Sequence, residues 1–267
     1  MILRALSVVL ASFFAVACDS TSSTRFENGT WIDLTHDVDD RSLYWPTASP
    51  FVLTTVAEGQ TEGGYFYSAY AFTGSEHGGT HLDAPIHFQA DGLTTEQVPL
   101  DSLIGPVIVI DVKAKTQTDR RYGIQVEDIL AWEAVHGRIN NRPIVLFDTG
   151  WAARWPDAED YLGTARRGPG GVPELSFPGI TPDAADFLAN ERKVRAVGLD
   201  TPSLDMSTSA SFLAHRILFD QNIPGFENVA SLDRLPPRGA HVIALPMKIK
   251  GGSGGPLRIV AFVPDDL

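Results

Sequence analysis

Apolar residues follow two spacings along this chain. Val107-Ile108-Val109-Ile110-Asp111-Val112 and Pro143 to Phe147 are nearly unbroken apolar runs of strand length, the pattern of strands buried on both faces. Trp31 to Thr35, Phe51 to Thr55, Tyr65 to Phe72 and Val194 to Leu199 are β-branched or aromatic segments bounded by Gly, Ser, Pro or charged residues, and they predict further strands. His241 to Ile249 and Leu257 to Val263 predict two closing strands joined through Gly251-Gly252-Ser253-Gly254-Gly255-Pro256. Helices are predicted in three places. Ile124 to His136 offers Ile124, Ile129, Leu130 and Ala134 for one face. Thr181-Pro182-Asp183 is a hydroxyl cap followed by proline at the first helical position, starting a helix to about Asn190. Ser211 to Gln221 is the third and contains His215. Trp155 to Phe177 has no periodicity, and its length predicts a functional or interface loop more than a packed element. With no internal repeat and no break between halves, the expectation is one mixed α/β domain.

Composition changes this picture only at the margins. The chain has 267 residues, 43% hydrophobic and 20% charged, ordinary for a globular protein with a sizeable core. A formal charge of −12 without any Lys/Arg cluster argues against a nucleic-acid groove. At the N-terminus, Arg4 precedes a small-and-apolar run from Ala5 to Ala17, followed by Cys18, the one cysteine. That run is too short to span a membrane and has the layout of a secretory signal. Ala15-Val16-Ala17 fits a small-residue cleavage site, and the cysteine directly after it resembles a bacterial lipobox. The expected organisation is therefore a lipoprotein-type signal peptide over residues 1–17, a flexible tether over 18–30, and one domain over 31–267. Export to the periplasm or cell envelope follows, with membrane contact only through a lipid on Cys18.

The chemistry concentrates between His77 and His87, in His77-Gly78-Gly79-Thr80-His81-Leu82-Asp83-Ala84-Pro85-Ile86-His87. The paired glycines disfavour a helix, and Pro85 pushes Ala84 towards extended geometry. On an extended chain His81 and Asp83 point to one side, and a bend at the glycines can return His77 to the same point. Imidazole nitrogens and a carboxylate converging there suit zinc or manganese, with positions left for water. Competing chemistries are weaker. The glycine-rich turn before Pro256 is not followed by a Lys-Ser/Thr pair and opens no G-x-G-x-x-G helix, so neither nucleotide fingerprint is met; it reads as a strand connection that can still line a pocket. No G-x-S-x-G elbow supports a serine nucleophile, and Cys18 belongs to the export segment.

The pattern H-x-G-T-H-x-D-x-P-x-H-F, here His77 to Phe88, resembles the signature of the cyclase family of metal-dependent hydrolases, which includes bacterial kynurenine formamidase and isatin hydrolase. Asp200-Thr201-Pro202-Ser203-Leu204-Asp205, His215 and Glu227, Asp33-Leu34-Thr35 and Trp45-Pro46 are similar to further family segments. The resemblance implies an α/β fold with a single mixed sheet of the swivelling β/β/α type. It implies that His77, His81 and Asp83 hold a first divalent metal, Zn or Mn. Asp83 would be able to bridge to a second ion ligated by His215, Glu227 would contact one or both ions, His87 would be the general acid/base, and Trp45 would contact the substrate. The implied reaction is hydrolysis of a small aryl amide, either an N-formyl anilide as in arylformamidases or a cyclic N-aryl amide as in isatin hydrolysis. A homodimer or larger homo-oligomer is the implied assembly. A metal-loaded binding protein without turnover is the alternative from another class, and it would have no use for His87. His36, His136 and His241 stand outside these motifs and are expected to be structural or superficial.

Overall fold

The computed structural model describes residues 26–267; the expected signal segment, Cys18 and residues 18–25 of the tether lie outside the described residues. Gly29 and Thr30, placed in the tether by sequence, already belong to a strand, Gly29–Asp33, that pairs antiparallel with Val260 to Pro264. The ordered domain begins earlier than expected because the rings of Phe26 and Trp31 pack on Phe262, with centroids 5.4 and 5.1 Å away.

The main sheet has eight strands. In order across it they are Gly29–Asp33, Gly254–Pro264, His241–Pro246, Ile104–Asp111, Ile144–Asp148, Ala196–Leu199, Gly225–Glu227 and His81–Asp83. The start of Gly254–Pro264 also pairs with His81–Asp83, so the hydrogen bonding closes into a ring with Gly29–Asp33 on its outside. From Ile104–Asp111 to Gly225–Glu227 neighbouring strands are parallel; the other pairings are antiparallel. The unbroken apolar runs are explained by two cores, one on each face. Ile108, Ile110, Val145, Phe147, Val197 and Leu199 pack under the helices. The alternating set, Val107, Val109, Ile144, Leu146 and Ala196, faces the inside of the ring with Leu82, Phe226 and Ile259.

The first long helix is Val126–His136, and its buried face differs from the expected one: Asp128, Ile129 and Trp132 are buried while Leu130 and Ala134 are exposed. Two polar anchors set this rotation. Trp132 Nε1 donates to the Val109 carbonyl at 2.8 Å, and the Asp128 carboxylate accepts from the Gln125 amide and the Tyr122 hydroxyl at 2.8 Å each. Ile124 precedes the helix, in a short strand paired with Gly179–Ile180. The second helix begins as expected, with the Thr181 hydroxyl accepting from the Ala184 amide at 3.3 Å, and continues from Pro182–Asp186 into a wider turn ending at Arg192. The third, Leu213–Asp220, carries His215 on its buried side.

Two segments between these elements decide the shape of the site. Trp155 to Phe177 is a packed element, contrary to the loop expected from its composition. It contains a helix, Ala158–Leu162, capped by Asp157, and a turn at Pro169–Glu174. Tyr161, Leu162, Leu175 and Phe177 are buried with Leu43 and Trp151 in a third apolar cluster. The other segment is a hairpin of Val52–Gln60 and Phe66–Thr73, which forms its own two-stranded sheet. Leu53, Val56, Phe66, Tyr67, Tyr70 and Phe72 are exposed on it.

Candidate metal centre

Local chain chemistry explains why the histidine stretch bends as it does. Gly79 has φ +58°, the left-handed region in which glycine carries no Cβ penalty. Gly78 lies against the Tyr44 ring so closely that a Cβ there would stand 2.0 Å from its Cδ1. Beyond this bend, His81–Asp83 is a strand hydrogen-bonded to Gly225–Glu227 on one side and to Gly254–Pro256 on the other. Its pairing sets His81 opposite Glu227. Pro85–His87 then forms a single 3-10 turn, which returns the His87 ring to stack on His77, centroids 3.8 Å apart and 21° from parallel. The helix Leu213–Asp220 supplies His215 from the facing side.

All five expected metal ligands meet at one place. Asp83 Oδ1 lies 2.6 Å from His77 Nδ1 and 3.1 Å from His81 Nε2. Asp83 Oδ2 lies 3.1 Å from His215 Nε2. Glu227 Oε1 is 3.0 Å from His215 Nε2, and Oε2 is 3.4 Å from His81 Nε2. Ligand atoms of His81, Asp83 and Glu227 lie within 4.8 Å of one another, and so do those of His77, Asp83 and His87. Asp83 is common to both sets. His87 therefore stands within ligand range of the first set as well as beside it as a proton carrier. Trp45 lies in the wall of the same cavity, about 330 Å³ in volume, as do Tyr44, Phe88 and Phe212.

The three ligand imidazoles share one arrangement. His81 Nδ1 is 2.9 Å from the Gly79 carbonyl, and His215 Nδ1 is 2.6 Å from Asp205 Oδ2. His77 Nε2 is 2.9 Å from Ser253 Oγ, whose own proton goes to Glu76 at 2.7 Å. An acceptor thus fixes the N–H on the far side of each ring and turns the other nitrogen towards Asp83 and Glu227, as metal-binding histidines require. His81 Nε2 makes no hydrogen bond although it is buried and close to both carboxylates. Among the described residues, no Lys or Arg lines the cavity to neutralise them. A divalent cation fits this donor set: two buried carboxylates, three oriented imidazoles and no fixed positive charge.

The titration behaviour agrees. Burial alone would lower His81, but the close Asp83 carboxylate, together with Glu227, pushes it up to about 9. His215 is likewise driven well above the usual imidazole range, against burial, by Asp205, Asp83 and Glu227. Protons are drawn to the position a cation would take. His87 goes the other way: burial, with the neighbouring histidine charges, pushes it down to about 4, only partly opposed by Asp83.

Sequence reasoning did not single out Asp205, Ser253, Asn228 or Phe212 for this site. Asp205 ends a segment noted only as similar to a family segment, and Ser253 sits in the glycine-rich turn noted as a possible pocket liner. Asn228 and Phe212 carried no signal. Asn228 Nδ2 donates to the Gly79 carbonyl at 2.7 Å, and its Oδ1 accepts from the Tyr161 hydroxyl at 2.8 Å.

The model of the Cyclase family, described as "Putative cyclase", matches residues 32–206. Isatin hydrolase of Roseibium aggregatum is 34% identical over 218 residues, covering 78% of this chain and 80% of that protein. Kynurenine formamidase of Salinibacter ruber is 33% identical over 233 residues, covering 86% and 95%. Among solved structures, isatin hydrolase A from Labrenzia aggregata bound to benzyl benzoate superposes with a TM-score of 0.79 at 33% identity, covering 88% of this chain and 94% of that one.

Proposed function

The chain belongs to the Cyclase family, and from that premise we propose that it is a divalent-metal-dependent hydrolase of small aryl amides, acting on an N-formyl anilide of the N-formylkynurenine type. The observation that carries this reading is the set of three imidazoles whose far nitrogens are fixed and whose near nitrogens face Asp83 and Glu227. His77, His81, Asp83, His215 and Glu227 would hold the divalent metal, Zn or Mn. When bound, the metal supplies Lewis acidity, polarising the amide carbonyl and acidifying water. His87 is neutral at neutral pH because burial depresses it, so it can accept a proton and pass it to the leaving aniline nitrogen. Trp45, Phe88 and Phe212 bound the cavity with rings and hold the aryl group.

Opening of a cyclic N-aryl amide, as in isatin hydrolysis, is the second reading. It is favoured by the likeness to an isatin hydrolase bound to the product analogue thioisatinate, with a TM-score of 0.78 at 31% identity. One assay separates the two: metal-stripped protein reloaded with Zn or Mn is offered N-formylkynurenine, formanilide and isatin. Turnover of the formyl anilides supports the first reading, and turnover of isatin alone supports the second. Stoichiometric metal without any hydrolysis sinks both. His87→Ala should retain metal and lose turnover by roughly 100-fold or more; loss of metal instead would make His87 a ligand.

Two further parts of the reading concern surroundings. Export as a lipoprotein through Cys18 is tested by palmitate labelling, where equal labelling of Cys18→Ala refutes it. A homodimer or larger assembly is supported by the hairpin Val52–Gln60/Phe66–Thr73. Isolated two-stranded hairpins are marginal in water, and this one exposes Leu53, Phe66, Tyr67 and Phe72. Phe66→Lys should shift the light-scattering mass towards the monomer.

A further inference from the structure

Eight non-glycine residues among those described have positive φ, and of these only Phe212 carries an aromatic ring. Its angles, φ 50° and ψ 47°, are fully left-handed, and for a bulky side chain such a conformation is an outlier that asks for a reason. The position is the residue before the helix Leu213–Asp220. Residues there ordinarily take extended angles, so starting a helix does not require it. A glycine would make the same turn without strain.

The ring occupies the wall of the metal cavity. Its centroid lies 4.9 Å from Phe88, 6.3 Å from Trp45 and 6.2 Å from the His215 imidazole. Phe88 in turn lies 4.8 Å from His215. A flat group laid against Phe212 and Phe88 therefore has a metal ligand at its edge.

The backbone that holds the ring is tied to the same ligand. The Phe212 amide donates to Ser209 Oγ at 3.1 Å, and Ser209 Oγ donates to Asp205 Oδ1 at 2.9 Å. Asp205 Oδ1 also accepts from the Ala214 amide at 3.1 Å. Its other oxygen accepts from the His215 amide at 3.1 Å and contacts His215 Nδ1 at 2.6 Å. One carboxylate thus orients the histidine and pins the left-handed turn three residues before it.

We propose that Phe212 is the specificity-determining residue of this site: a platform for the aryl ring of the substrate, locked by Ser209 and Asp205 at a set distance from the metal ligand His215. The proposal rests on the aryl-amide reading and names the contact that selects aryl over alkyl amides. Strain in the backbone is retained because it places a ring where a glycine would leave a gap.

The test is Phe212→Gly in the full-length protein, compared with wild type. The thermal midpoint should be equal to or above wild type, since glycine relaxes the turn. The preference for formanilide over N-methylformamide, as a ratio of kcat/KM, should fall on the order of tenfold through a higher KM for formanilide. An unchanged preference overturns the proposal, and so does an equal loss for both amides. Phe212→Leu, which keeps apolar volume, should lie between the two in preference; it decides the matter if the glycine variant does not fold. Binding of 2-aminobenzoate, read by quenching of tryptophan fluorescence, needs no turnover. It should weaken on the order of tenfold in Phe212→Gly, and equal affinity overturns the platform. If wild type binds 2-aminobenzoate through Phe212 but hydrolyses no aryl amide, the hydrolase reading fails and the platform stands.

Discussion

Two buried carboxylate centres flank the segment from Asp200 to Asp205, and they are satisfied in opposite ways. Asp200 is 1% exposed and accepts four hydrogen bonds, from the Thr149 amide and hydroxyl at 3.0 and 2.6 Å and from the Trp151 and Ala152 amides at 2.6 and 3.2 Å. Asp83 is equally buried, but among the described residues its oxygens face only imidazole nitrogens. Glu227 beside it accepts a single backbone bond, from Leu204 at 2.8 Å. A carboxylate with four donors is complete and needs no ion. A pair that, apart from one backbone amide, meets only histidines is complete when a cation stands between them. By this criterion the larger cavity, about 730 Å³ and lined by Asp200, Asp148, Lys113 and His36, is scaffold. The smaller one, about 330 Å³, is the proposed reaction centre.

The widest separation should come from removing one acid at each centre. Asp83→Ala should lose metal and turnover by more than the roughly 100-fold typical of residues that only support a ligand. Wild type should gain about 2.7 kcal/mol at a hundredfold excess of metal over its dissociation constant, and Asp83→Ala should gain none. A variant whose stability still rises with metal as the wild type's does would show that Asp83 is not a ligand. Asp200→Ala should behave in reverse. It strands three amides and a hydroxyl, at a cost of about 3 kcal/mol or more, a fall of roughly 6–12 °C for a domain of this size. The metal affinity of the folded fraction should be unchanged; a tenfold loss would merge the two centres into one.

The difference between the centres also governs what could be read from sequence. His77, His81, Asp83 and His87 were legible because a bend, a strand and a tight turn bring them together within one short segment. His215 and Glu227 were reached only through resemblance, since no local pattern marks a helix histidine and a strand glutamate as partners of a segment over 130 residues away. The supports were invisible for the same reason. Ser253 reaches His77 across 176 positions and Asn228 reaches Gly79 across 149. Trp155 to Phe177 was misread because its burial depends on Leu43 and Trp151, which lie outside it. Its Pro and charged residues lie on the outer surface, while Tyr161 and Phe177 face inward.

Tyr161 joins the two centres and offers a finer test of how separate they are. Its hydroxyl lies 2.8 Å from both the Asp200 carbonyl and Asn228 Oδ1, and Asn228 holds the Gly79 carbonyl that fixes His81. Tyr161→Phe should cost about 1 kcal/mol in stability and weaken metal binding about tenfold, the lower end for a group that orients a ligand. Competition titration against a chromophoric chelator measures it. Lost stability with unchanged affinity would mean that Asn228 holds Gly79 without help and that the centres are independent.

The smallest effect belongs to the larger cavity and should appear only in stability against pH. His36 stacks on Trp155 with centroids 4.3 Å apart and planes 10° from parallel, and its buried Nε2 has no hydrogen-bond partner among the described residues. Burial pushes its imidazole down to about 4 against the opposing charge of Asp37. An unfolded chain takes up this proton near pH 6.5, so the contribution is whole above 6.5 and is lost as pH falls towards 4. Asp200 pulls the other way: burial raises it to about 6, so below pH 6 the folded state keeps a proton that the unfolded chain releases until near 4, and stability rises as pH falls. The opposition hides His36 in a single wild-type profile. His36→Phe keeps the stacked ring and removes the titration while leaving Asp200 in both proteins, so the comparison isolates one group. Between pH 7 and 5 wild type should lose on the order of 1 kcal/mol more than the variant, a figure reduced for the partial exposure of His36. Parallel profiles would mean that His36 takes up its proton at the same pH folded as unfolded, so that burial in the larger cavity does not depress it. The larger cavity would then accept a protonated imidazole below about pH 6.5, and the criterion that separates scaffold from metal centre would have to rest on the orientation of the imidazoles alone.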